Sequence, residues 1–402
     1  MPATLYVLGN GFDLAHDLPT TYQDFFYFVE TILKETSSSP LDKNIIVKDR
    51  LSSEALEYLN DGLAANPIPD DLQAIASVLS LDSYSNRNLW HSFFRKKIAE
   101  KIKLDTWIDF EKEIETAVQF FKREIFHESF YPSKMKKIYT YMGNPSFKRT
   151  GRTDSEKKLQ AYEEEISKLG ESSNKIDLLL LSYKTECILF LYQELQRYIF
   201  CLELYLRFFV MDHVFSNGSK HTPLAKIFEK DKPDFILSFN YTDTYYRYFD
   251  PCIDIGIQHI HGELRSKSTL NSAIKEADYL HSPLVLGFHN EEKFETSEDI
   301  QLLWFEKFYQ RILCKTGTKV FSWVKDHIDV NFDINTIIYG HSLDKTDGDF
   351  IRFIFEKSSK ITVYYYQETV LPRLISNLIT IFDRNKVNYY YSNGILQFQP
   401  IP

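Results

Sequence analysis

At 402 residues the chain is long enough to bury a large core, either as one big domain or as two ordinary ones sharing an interface. Its 44% hydrophobic and 26% charged residues are the balance of a folded globular protein and exclude a disordered or fibrous one. A formal charge of -9, from 56 acidic against 47 basic residues, supplies no positive field for a phosphate backbone, so nonspecific nucleic-acid binding is disfavoured.

The four cysteines, Cys187, Cys201, Cys252 and Cys314, are scattered without a C-x-x-C pair, so they read as buried apolar residues of a reducing compartment rather than zinc ligands or a disulfide framework. The stretch MPATLYVLGNGFD lacks the basic flank and long apolar run of a secretory signal, and nowhere do eighteen apolar residues run uninterrupted. A soluble, cytoplasmic protein that makes no use of a membrane is therefore expected.

The apolar run Thr4 to Leu8, closed by Gly9, predicts a buried strand leading into a tight turn. A helix should follow from about Tyr22, with Thr20 and Gln23 in a capping-box arrangement. From there to roughly Phe215 the pattern is helical. Its clearest member, running from Ile176 to Phe215, is apolar enough for burial but too interrupted by charge to span a membrane. Between Phe147 and Lys175 charge rises and apolar content falls, which predicts an exposed loop or a frayed charged helix. Short β-rich runs then return: DFILSFN, IDIGIQHIHG, PLVLGFH, NTIIYGHSL and KITVYYY. Joined to the isolated first strand, they predict an α/β fold with a Rossmann-like, mostly parallel sheet. On that reading residues 1–25 and 225–402 form the nucleotide-binding core, and 26–224 form a large α-helical insertion.

Four places carry candidate chemistry. The first is Gly9-Asn10-Gly11-Phe12-Asp13, where glycines after a strand allow a tight turn and close backbone approach to a phosphate. It departs from G-x-G-x-x-G, since Leu14 stands at the third glycine, and a plain turn competes with nucleotide binding. The second is Asn240, just past a strand end and followed by Asp243, a ligand-contact position that a helix cap would also explain. The third is His259-Ile260-His261-Gly262, where strand alternation points both imidazoles to one face for proton transfer, with a satisfied structural histidine as the competing reading. No third or fourth ligand accompanies the pair, so no metal is expected. The fourth is Gly340-His341-Ser342, a strand-to-turn junction suited to a ribose or phosphate, without the second glycine of a hydrolase elbow.

Taken in order, LYVLGNGFDLAHDLPTTYQDF, FNYTDTYY, HIHGEL, LVLGFHN and IIYGHSLDKTDGDFI resemble the abortive-infection AbiH family of bacterial proteins. TWIDFEKEI, with Trp107, Asp109 and Glu111, is similar to a further segment of that family. The same landmarks resemble a divergent sirtuin-like NAD-binding core. That resemblance implies that Gly9 to Asp13 with Pro19 form the NAD loop, Asn240 and Asp243 the Asn and Asp pair, His261-Gly262 the catalytic His and Gly, and Gly340 with Ser342 the ribose-binding turn. The paired-cysteine zinc module of the deacylases is missing, which argues against deacylation.

Together the resemblances imply an antiphage defence protein that hydrolyses NAD at the nicotinamide–ribose bond, with Asn240, His261 and Asp243 catalytic. A noncatalytic nucleotide-binding sensor, acting on a defence partner or on a second copy of itself, is the alternative. A nuclease-type toxin is a third, for which neither a carboxylate metal site nor a basic surface is present. A phage-derived trigger is a further expected partner.

Overall fold

A computed structural model of the chain describes residues 2–36, 51–79, 87–100, 107–151, 153–169, 175–217, 228, 232–249, 255–289, 296–329 and 333–401. Six strands form one sheet: β1 (Ala3–Leu8), β2 (Phe235–Ser238), β3 (Gly256–His259), β4 (Ile334–Tyr339), β5 (Lys360–Tyr365) and β6 (Leu396–Pro400). Every pairing is parallel, and the order is β3-β2-β1-β4-β5-β6. β1 is central, with Leu5 opposite Phe235 on one side and Thr336 on the other.

Alternation places Leu5 and Val7 in one apolar layer, with Ile338, Ile351 and Leu378. Tyr6 and Leu8 face the opposite layer, with Phe12, Phe228 and Ile236. Both faces are thus buried, as a parallel sheet requires, which is why β1 and β2 read as continuous apolar runs. The chain builds outward from β1 to β3, returns to the other side for β4, and ends at β6. The reversal lies between β1 and β4.

The glycine stretch after β1 is not an open turn: Gly9 caps a short helix, Asn10–Leu14, and the helix expected from about Tyr22 follows as Tyr22–Thr36. Its reciprocal cap is made one residue later than the pattern suggested. Thr21 N–H donates to the Asp24 carboxylate and Asp24 N–H donates to the Thr21 hydroxyl, whereas Thr20 gives its hydroxyl to Asn10 Oδ1. This helix packs into an aromatic core with Trp90, Phe93, Phe110 and Tyr198, and the Tyr22 and Phe110 rings stack 3.6 Å apart. The helix Ile176–Leu204 runs through that core and continues as a π-helix to Val214. Its buried Glu194 accepts the Leu89 amide, so the charge inside the apolar run is a satisfied core group. Among the described residues no helix is long and apolar enough to cross a membrane.

Two expectations need correction, and one strand is additional to those expected. The charged stretch after Phe147 contains an ordered helix, Asp154–Leu169, held by buried Leu159 and Ile166 and by Tyr183, whose hydroxyl donates to Glu163. PLVLGFH is not a strand of the sheet. Leu284, Leu286 and Phe288 enter the helical core, and the backbone finds partners off the sheet, with Val285 N–H donating to His261 O and Leu286 N–H to Gln310 Oε1. The helical core therefore includes chain from beyond residue 260, and the 224/225 division lies outside the described residues. β6 lacked a sequence signal: it is a five-residue edge strand whose terminal Pro400 costs no ladder hydrogen bond. Cys187 and Cys201 are buried free thiols and Cys314 is free and half-buried, while Cys252 lies outside the described residues.

Candidate functional site

Where β1 and β4 end, their turns are stitched together. Gly9 N–H donates to Tyr339 O at 3.0 Å and Gly11 N–H to Gly340 O at 2.9 Å. A Cβ on Gly9 would sit 2.5 Å from His341 Cα, and one on Gly340 would sit 2.4 Å from Phe12 N. Gly340 also has φ +67, which favours glycine. The glycines are thus first required by this backbone approach. Beside it, over the carboxyl ends of the strands, opens a cleft of about 590 Å³.

Gly9, Asn10, Gly11, Asp13, Asn240, His261, Gly340, His341 and Ser342 all line this cleft. Residues more than two hundred positions apart meet there, and Asn240 Nδ2 donates to Gly9 O at 3.1 Å. The other candidates lie outside the lining. The Phe12 ring is in the core against Phe228 and Tyr339. Pro19 O accepts the Tyr205 hydroxyl at 2.7 Å and ties the loop to the helical core. Gly262, at φ +87, lets the chain pass Pro283, whose carbonyl a Cβ would meet at 2.0 Å. Asp243 is engaged with Arg247 at 3.0 Å and Arg207 at 3.8 Å.

β3 stops at His259, so strand alternation does not pair the two imidazoles. His259 Nδ1 contacts Asn240 O at 2.8 Å, beneath the cleft, while His261 faces into it.

The polar groups form two clusters. Asp13 is buried, accepts the Thr242 hydroxyl at 2.6 Å on Oδ2, and has no partner on Oδ1. Burial pushes its carboxyl up to about 6, against hydrogen bonds from Thr242, Thr244 and Asn240 that lower it. Asn240 Oδ1 is likewise buried and unpartnered.

The second cluster centres on Lys307, whose Nζ lies 2.8 Å from Glu111 Oε1 and 2.9 Å from Asp347 Oδ1. Asp347 Oδ1 also meets His261 Nε2 at 3.0 Å, and its Oδ2 lies 3.6 Å from His341 Nε2. Burial would raise Asp347, but Lys307 and His261 outweigh it and hold the carboxyl well below its usual range. Burial and then the Lys307 charge lower His261 to about 4, so at neutral pH its ring is uncharged. With Nε2–H given to Asp347, Nδ1 is the nitrogen left for the cleft. His341 Nδ1 accepts the Leu343 amide at 3.0 Å, which puts its proton on Nε2, toward Asp347. Burial drives Glu111 up to about 7, with Lys307 opposing and Asp347 reinforcing the rise.

Sequence reasoning missed Lys307 entirely and assigned no role to Glu111 or Asp347. Asp347 stood inside the polar run Asp344 to Asp349, and Glu111 inside TWIDFEKEI, but neither pattern signals a shared lysine. Among the described residues no cluster of three or more potential metal ligands occurs.

A parallel sheet in this order, with a cleft at the point where the strand order reverses, defines a Rossmann-like α/β protein. Residues 5–366 match the family model described as bacteriophage abortive infection AbiH, and the chain belongs to that family. Membership supports a role in phage abortive infection. No curated protein and no solved structure matches the chain.

Proposed function

We propose that the cleft binds NAD and hydrolyses its nicotinamide–ribose bond, so that loss of NAD halts growth of a phage-infected cell. The observation that carries this reading is the convergence of Gly9 to Asp13, Asn240, His261 and Gly340 to Ser342 on one cleft at the strand-order reversal. The cleft volume falls in the range of small-molecule sites. Its β5 side offers Tyr364, Tyr365 and Leu374 to a flat base, and its β1 side offers Asn10, Asp13 and Asn240 to a ribose.

Cleavage sends the glycosidic electron pair to the pyridinium nitrogen and leaves positive charge on the ribose, so the site must confine the sugar and stabilise a cation. Asn240, anchored through Nδ2 to Gly9 O, keeps an unpartnered Oδ1 that would orient a water admitted beside it on ligand binding. His261, oriented by Asp347 as a triad histidine is by its carboxylate, accepts a hydrogen bond from that water or from a ribose hydroxyl. Asp13 supports the cation from inside the cleft. Asp243, engaged by two arginines, instead positions the chain after β2.

Incubation with NAD is expected to release nicotinamide and ADP-ribose, and His261→Ala or Asn240→Ala to abolish release without unfolding the chain. Undiminished turnover in both variants rejects the assignment. Tight binding without turnover replaces it with a nucleotide-binding sensor.

A further inference from the structure

Two carboxylates, Glu111 and Asp347, share the single ammonium of Lys307, and all three side chains are buried. One cation neutralises one anion. Asp347 has additional support from His261 and His341, whereas the charge of Glu111 is balanced chiefly by Lys307. The other neighbours of Glu111 add no charge to balance it: Tyr22 from the helical core and Tyr241 beyond β2 are held as neutral phenols by burial, with the Glu111 charge adding to the effect. The cation Arg311, which acts on His261, is engaged by Asp349. Glu111 also lines the cleft, brought there by the helix Trp107–Ile125, which belongs to the helical part of the chain rather than to the sheet.

We propose that Glu111 is the terminal proton acceptor of the hydrolysis, so that the helical insertion completes the catalytic site. The inference rests on the NAD reading. In the step, the C1′–N bond of NAD breaks and its electron pair neutralises the pyridinium, which departs as nicotinamide. Water oxygen bonds to C1′, and the proton released from that water passes to the Glu111 carboxylate and then to solvent. His261, held neutral by burial and by Lys307, hydrogen-bonds in this step without keeping the proton. The Lys307 ammonium keeps Glu111 ionisable inside an apolar wall and is left paired with Asp347 when Glu111 is protonated.

The test is a pH–rate profile of NAD hydrolysis for the wild type, Glu111→Gln and Glu111→Asp, joined to infrared titration of carboxyl bands in the same proteins. A wild-type kcat that rises through about pH 7, a loss of about 10²-fold with a flat profile in Glu111→Gln, and a retained limb in Glu111→Asp are the expected results. A merely structural ion pair would lower the melting temperature and leave the limb in place. Wild-type kcat and an unchanged limb in Glu111→Gln overturn the proposal. The infrared arm separates the two readings. Turnover without a neutral-range carboxyl band that Glu111→Gln removes discards Glu111 alone. The band without turnover discards NAD hydrolysis, and with it the catalytic assignment of Glu111.

Discussion

Replacing Asp13 by Asn should make the protein more stable and less active. The carboxyl is 1% exposed, and its proton affinity moves from an ordinary 3.8 to about 6 on folding. A difference of roughly 2 units corresponds to about 3 kcal/mol, with no solvent screening to discount at such burial. Between about pH 4 and pH 6 the folded chain retains a proton that the unfolded chain has released. Stability therefore falls as pH rises through that window, and the whole deficit is present at pH 7. Asn removes the titration, keeps an acceptor for the Thr242 hydroxyl, and brings an amide that can donate to the unpartnered Asn240 Oδ1. Urea unfolding at pH 4, 5, 6 and 7 should show the two proteins nearly equal at pH 4 and the variant ahead by up to about 3 kcal/mol at pH 7. On the proposed NAD reading, turnover should fall at the same time, because the neutral amide of Asp13→Asn would no longer support a ribose cation. A variant that is weaker at pH 7, or that keeps the wild-type slope, would refute the reasoning.

Gly340→Ala should cost at least about 2 kcal/mol, since its Cβ would sit 2.4 Å from Phe12 N in a backbone at φ +67. An unchanged melting temperature would show that the β1 and β4 turns part freely. Lys307→Met should cost about 3–5 kcal/mol at pH 7 by leaving two buried carboxylates face to face. The loss should grow as pH rises above about 7, where the wild type ionises Glu111 beside Lys307 and the variant keeps it protonated, and chemical denaturation at about pH 6 and about pH 8 checks this.

The sequence by itself determined the class of fold and picked out several of the residues that line the cleft. The apolar run before Gly9, the four later runs that became β2 to β5, and the long helical stretch between them are local patterns that burial on both faces of a parallel sheet imposes. The same locality made the glycine turn, Asn240, His261 and Gly340 readable, because each stands just past a strand. PLVLGFH misled for the converse reason: apolar content records burial, and the helical core buries it as well as a sheet does.

Only the tertiary structure decided which polar groups face one another. Asp243 and Asp13 are both acidic residues past strand ends, yet arginines claim one and the cleft receives the other. Glu111, Lys307 and Asp347 come from the middle of one helix, the first residue of another and a short 3-10 turn, and no spacing along the chain relates them. Their chemistry arises from desolvation and from one ammonium shared by two carboxylates, quantities that exist only once the chain has closed around them.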